Sequence, residues 1–301
     1  MPVWIPITLA AAFFQNLRSA LQKHLKGQLS DIATTTTRFF YAWPLALIYL
    51  WGMLSFTAQP LPTMTSEFGI YVVLGSVTQI LFTFLLIWLF SFRNFAVGNT
   101  FGKTETVQIA VLGFVLLGDP LSGTAILAIF TSVLGVLVLS AGKAGLQLSN
   151  LVAGITQRST LIGLLSGFFL GASVVLFRGA SLALEGGDSF LKAATTVAVS
   201  TSFQTLLLCL YLRLREPGQL RKILKIWKKA GLVSIVSILG SICWVTAFTI
   251  ENAAHVRTLG QVELLFSLLF SLIVFREQVA RLEILGMALI LGGIVLLLLY
   301  R

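Results

Sequence analysis

Residues 99–122 read NTFGKTETVQIAVLGFVLLGDPLS: small residues, a polar group of Lys103, Glu105 and Gln108, an apolar run, then an acidic turn at Asp119. The pattern returns 158 positions later. Phe101-Gly102-Lys103-Thr104-Glu105 lies over Leu259-Gly260-Gln261-Val262-Glu263. Gly118-Asp119 lies over Arg276-Glu277, and Leu134-Gly135-Val136 over Gly292-Gly293-Ile294. A Glu thus sits early in an apolar segment twice, and an acidic turn closes that segment twice. The chain reads as a duplication of a unit of about half its length.

The surrounding composition says what kind of unit this is. Of 301 residues, 57% are hydrophobic and only 11% charged, with a mean hydropathy of +0.94. A soluble domain carries about 25% charged residues, so this chain has too few to cover a water-facing surface. Apolar runs of about 20 residues indicate membrane-spanning helices instead. The net charge of +10 does not point to nucleic acid, because most Lys and Arg flank the apolar runs, where they report orientation. Cys209 and Cys243 lie inside apolar runs with no CxxC partner, which predicts packing roles. The N-terminal Met-Pro-Val-Trp lacks a basic leader, so the first apolar run is expected to remain as a span.

Ten spans are predicted, at about 3–22, 32–54, 67–90, 96–117, 121–141, 161–183, 190–212, 231–250, 256–275 and 281–300. They fall into an N-terminal five-helix repeat (1–142), a more polar linker (143–160) and a C-terminal five-helix repeat (161–301). Weaker echoes keep the same order: Phe13-Phe14 over Phe168-Phe169, and Lys23 over Arg178. Five spans per copy forces the second copy to enter the membrane from the opposite side, which makes an inverted repeat. The expected fold is therefore all-α and integral to the membrane, ten helices in two inverted halves.

Charge placement orients it. Of 21 Lys and Arg, four (Arg178, Lys192, Arg257 and Arg301) fall on the face that holds the termini, leaving 17 on the other. The positive-inside rule puts the basic loop Arg213–Lys229 in the cytoplasm and both termini outside the cell or inner membrane.

Ten short spans, the five-plus-five duplication, and acidic turns at Gly118-Asp119-Pro120 and Arg276-Glu277-Gln278 resemble the EamA-type branch of the drug/metabolite transporter superfamily. The turns fall where that family carries Gly-Glu after its fourth and ninth spans; here one has Asp for Glu and the other Arg for Gly. The resemblance implies alternating-access transport of a small molecule. Members with cytoplasmic termini are common, and the charges here argue for the reverse orientation.

Catalytic signatures are missing: there is no HExxH, DDxxD, GxSxG or Walker A loop. His24 lies in a basic loop and His255 at the start of the ninth span, and neither spacing builds a metal site. Neither a cofactor nor a metal is expected. Ionisable groups inside spans carry the stronger signal, since a charge at mid-bilayer costs about 2.5–3.5 kcal/mol on insertion scales. Gln15, Arg18 and Gln22 make one stripe on the first span; Arg38 and Tyr41 share a face of the second, and Gln79 lies with Ser76 and Thr83 on the third. Glu105 and Gln108 pair on the fourth, Arg257 and Gln261 on the ninth, and Glu263 shares a face with Ser267. The expected substrate site is Arg18, Arg38, Lys103, Glu105, Gln108, Gln261 and Glu263, near the midplane. The competing reading makes these groups structural ion pairs, with Arg18 or Arg38 neutralising Glu105 and Arg257 neutralising Glu251. Gly163, Gly167 and Gly171 form a GxxxGxxxG face that predicts a close helix crossing, within the chain or in a homodimer.

The function expected is secondary transport of a small organic metabolite, anionic or zwitterionic by the Arg and Lys content. Proton exchange is the expected coupling, with Glu263 as proton carrier because it has fewer neighbouring cations, and Glu105 as a structural acid. The partners expected are that solute and the lipid bilayer. The alternatives are an intramembrane lipid-modifying enzyme and a non-transporting scaffold subunit.

Overall fold

A chain surrounded by hydrocarbon must satisfy its backbone polar groups internally, and apolar runs of this length do so as helices. The computed structural model describes residues 2–105, 107–108, 123–141, 156–251, 256 and 259–299. These residues are helical, apart from connecting turns and isolated bridges at Lys26–Leu29 and Thr63–Glu185. The helices are α1 (Trp4–Leu25), α2 (Asp31–Thr36), α3 (Ala42–Thr57), α4 (Ser66–Leu89), α5 (Phe95–Gly102) and α6 (Gly123–Ala141). After them come α7 (Arg158–Leu182), α8 (Ser189–Arg215), α9 (Gln219–Lys225), α10 (Trp227–Ile250), α11 (Glu263–Leu269) and α12 (Arg281–Leu299). Among the described residues, α4, α7, α8 and α10 are long and apolar enough to cross a bilayer, and α3, Ile126–Leu139 and Glu263–Val274 are shorter apolar helices. Asp119, Pro120, His255, Arg257 and most of the linker lie outside the described residues.

Local chemistry sets the ends. Ser30 accepts from the Ala33 amide at 3.1 Å and caps α2. Asp188 accepts from the Leu191 amide at 2.8 Å and caps α8, and Thr65 does the same for α4 through Phe68.

The expectation of unbroken second, fourth and ninth spans is corrected. The second is two helices, α2 and α3, with turns over Thr37–Tyr41 between them. Pro44 sits in the first turn of α3, where its missing N–H costs nothing; inside one continuous helix it would forfeit a hydrogen bond and clash. The fourth stops at Gly102, turns at Lys103 and Thr104, and resumes at Glu105. The ninth turns at Gln261 and Val262, resumes at Glu263, and widens to a π-helical turn over Phe270–Val274.

Contacts group the chain into two units, one of Met1–Ile87 with Ala172–Glu263, the other of Trp88–Gly171 with Leu264–Arg301. Each draws on both halves of the sequence. In the first, α1 packs on α10, and α8 packs on α3 and α10. Ala42, Ala46, Val197, Ala198 and Ile238 form one core there, and Phe68, Val72, Ala180 and Leu184 another. Its loops pair selectively. Gln59 and Asp188 exchange hydrogen bonds at 3.2 and 3.0 Å, and Thr63 and Glu185 do so through their backbones. At the other end of α2–α3, Ser30 donates to Glu216. Lys26 donates to the Ile87 carbonyl at 2.6 Å, near the C-terminus of α4. Arg178 donates to the Phe248 and Glu251 carbonyls at the C-terminus of α10. Lys26, just past α1, thus closes the C-terminal end of α4, and Arg178 on α7 that of α10.

In the second unit α6 crosses α12 at glycines. A Cβ on Gly135 would fall 2.7 Å from the Ile290 nitrogen, and one on Gly293 would meet Ser132 and lie 2.6 Å from the Ala128 carbonyl oxygen. Gly135 and Gly293 are repeat equivalents, and so are Ser132 and Ile290, so the contact is reciprocal. It runs antiparallel, with Gly286 against Leu139 extending it. On α7, a Cβ on Gly163 would fall 2.5 Å from the Phe101 ring and one on Gly167 2.8 Å from Thr104 Oγ1, so those two glycines serve a crossing within the chain.

Candidate functional site

The expected site residues fall into one group per unit. In the first unit, the polar stripe of α1 is buried: Gln15, Asn16, Arg18, Ser19 and Gln22. Gln15 Nε2 donates to Glu263 Oε1 at 2.6 Å, and Asn16 Nδ2 donates to the Glu263 carbonyl at 3.1 Å. The Glu263 carboxylate is also the negative charge that acts on Arg18. Gln22 donates to the Thr34 carbonyl at 3.0 Å, at the end of α2 that precedes the break. Within that break Arg38 Nη1 donates to Thr83 Oγ1 at 2.7 Å, and Thr83 in turn donates to the Gln79 carbonyl. Gln261 is buried in the interrupting turn before α11.

The second unit holds Lys103, Glu105 and Gln108. Lys103 and Glu105 are buried. Gln108 is half-buried and donates to Thr104 Oγ1 at 2.8 Å and to the Leu164 carbonyl at 3.0 Å. Thr104 donates to the Phe101 carbonyl at 2.7 Å, which ties the turn's side chains to its own backbone.

These two groups share one backbone design. The Thr104 amide donates to the Phe101 carbonyl at 3.2 Å, and the equivalent Val262 amide to the Leu259 carbonyl at 3.1 Å. Each tight turn follows a glycine, and a Glu opens the helix beyond it. A carboxylate in a first helical turn is favoured by the helix dipole. Gly260 also leaves room for Trp244, whose ring would lie 2.9 Å from a Cβ there and stacks on Phe248 at 5.4 Å.

The expectation that Glu263 is the sparsely partnered acid is not met. It holds Gln15 and acts on Arg18, the cation that sequence reasoning placed around Glu105. Asn16 and Gln204 were missed. Gln204, on α8, donates to Gln79 at 2.9 Å; its signal was a lone amide in an apolar run. Glu277, read as an acidic turn, lies in a turn and also acts as a cap. It accepts from the Phe95 amide at 2.9 Å and the Ser271 hydroxyl at 2.6 Å, closing the N-terminus of α5. Nearby, Arg93 donates to Ser159 at 3.1 Å and Gln157 at 2.8 Å. Burial lowers the Arg93 pKa, and Glu283 opposes the shift.

Apolar spanning helices with buried polar groups at helix interruptions define a multi-pass integral membrane protein. Residues 157–299, a little under half of the chain, match the model of the EamA-like transporter family. None of the curated proteins matches the chain. A solved crystal structure is similar over 98% of this chain and 96% of its own, with a TM-score of 0.58 and 16% identity, a likeness of fold alone.

Proposed function

We propose that the protein is a secondary transporter that moves a small organic metabolite by alternating access, built as ten spans in two inverted five-helix halves. The observation that carries this is the paired interruption at Lys103-Thr104 and Gln261-Val262. Interrupted helices at corresponding places in two halves mark transporter binding sites, because backbone groups released from a helix need a lined cavity. The reciprocal antiparallel crossing of α6 and α12 supports the inversion. So do the loops: each inter-loop bond above joins two loops that a ten-span path puts on one face. The basic loop after α8 is cytoplasmic and the termini are outside.

Arg18, Arg38, Gln261 and Glu263 in the first unit, and Lys103, Glu105 and Gln108 in the second, are the residues that act on the solute, which is anionic or zwitterionic. Glu263 carries the coupled proton. Protonating it removes the negative charge facing Arg18 and so ties proton loading to the cations of the site. Purified protein in liposomes, screened for uptake of a labelled metabolite panel with and without a pH gradient, tests the reading. Saturable uptake of a metabolite supports it. Chemical conversion of lipid or solute would point to an enzyme, and folded protein without flux or turnover to a scaffold.

A further inference from the structure

Arg38 differs from Arg18 in its place at a helix break and in the sign of the charge that acts on it. It is 4% exposed, in the interrupted stretch between α2 and α3. Its Nη1 is held by Thr83, whose own proton is committed to the Gln79 carbonyl, so the hydroxyl presents a lone pair and fixes one edge of the guanidinium. The Nε edge has no hydrogen-bond partner among the described residues. No carboxylate of those residues pairs with Arg38; the charge that acts on it is the positive one of Arg18. Arg18, 3% exposed, donates to Ser19 Oγ at 3.2 Å, its Nε likewise has no partner among the described residues, and the charge that acts on it is the negative one of Glu263, which Gln15 holds in place. Among the described residues Arg38 is therefore a buried cation with no carboxylate beside it. A buried cation without a counter-ion is costly, and the planar Nε edge matches the two oxygens of a carboxylate or phosphate.

We propose that Arg38 is the oxyanion subsite of the transport path: it takes a carboxylate or phosphate group of the substrate side-on, while Glu263 serves as the internal counter-ion of Arg18. This assigns different roles to two arginines that the transporter reading treats alike, and it rests on that reading. Thr83 positions the guanidinium, and the Thr37–Tyr41 break keeps Arg38 out of a regular helix.

The test is ligand-induced thermal stabilisation of the detergent-purified protein in sodium succinate, sodium phosphate or sodium chloride at matched ionic strength. Succinate or phosphate should raise the melting temperature of the parent beyond chloride, and the one that does so identifies the group. Arg38→Gln should melt at or above the parent without ligand, because it removes a buried charge with no carboxylate beside it, and should lose at least about tenfold in affinity for that anion. Arg38→Lys keeps the charge without the fork and should fall between them; it also serves if Arg38→Gln does not fold. A parent indifferent to both anions, or equal stabilisation of parent and both variants, overturns the proposal. The uptake panel separates it from the wider reading. Flux of a solute that bears no anionic group ends the Arg38 subsite and leaves the transporter. Anion stabilisation that depends on Arg38, without flux of any solute, keeps the subsite and ends the transporter.

Discussion

Gly293→Ala is the sharpest structural perturbation. Its new Cβ meets the Ser132 side chain and lies 2.6 Å from the Ala128 carbonyl oxygen and 2.9 Å from the Ser132 nitrogen. Two of these are backbone atoms of the facing helix, which cannot rotate away, so α6 and α12 must separate. Overpacking of this kind costs about 1–3 kcal/mol. Exchanging Gly for Ala inside a helix returns up to about 1 kcal/mol. Gly292→Ala supplies the control, since its Cβ meets nothing within 4 Å and it collects the helix gain alone. Gly135→Ala, against the Ile290 nitrogen at 2.7 Å, is the repeat equivalent and should lose a similar amount. The double variant should lose less than the sum, because one separation relieves both clashes. Thermal melts in detergent, read as the surviving monodisperse fraction by size-exclusion chromatography, should show Gly292→Ala at or above the parent. The two clashing variants should melt about 2–8 °C lower than that control. A Gly293→Ala protein that melts with Gly292→Ala would refute the reciprocal crossing.

Glu277→Ala removes the cap on α5 and should cost about 0.5–2 kcal/mol, seen as a lower melting temperature; an unchanged melt would mean water satisfies the Phe95 amide equally well. Arg178→Met leaves the last carbonyls of α10 without their donor and should destabilise by about 1–3 kcal/mol, whereas Arg213→Met, exposed on α8, should leave the melt unchanged. Glu263→Gln should remain folded, keep substrate flux down a concentration gradient, and lose the response to an imposed pH gradient. Retention of the parental pH response would make Glu263 a structural acid only.

The all-helical class was legible in the length and apolar character of the runs. The sequence match of residues 101–105 to 259–263 falls on both helix interruptions, although the sequence reading took them as polar points on continuous spans. Gly102 and Gly260 were the missed signals, and Pro44 was the signal for the break in the second span. Periodicity finds apolar faces, and a span broken for only two residues hardly disturbs it. The buried polar residues were legible as a set, since ionisable groups in apolar runs are rare. Their partners were not. Gln15 and Asn16 donate to Glu263 nearly 250 positions away, and only packing brings α1 to that residue. Lys26, and not the Lys23 that overlies Arg178 in sequence, donates to the Ile87 carbonyl, because the chain leaves α1 at Leu25.

The central claim is that the two halves are inverted, and cysteine accessibility tests it most directly. Pro60, between α3 and α4, and Pro217, between α8 and α9, are both exposed and follow the second and seventh spans. With Cys209 and Cys243 replaced by Ala, single-cysteine variants Pro60→Cys and Pro217→Cys are treated on intact cells with a membrane-impermeant maleimide. Inversion predicts that Pro60→Cys is labelled from outside and Pro217→Cys only after permeabilisation. Labelling of both from the same face would contradict the inverted repeat, and the transport architecture proposed on it.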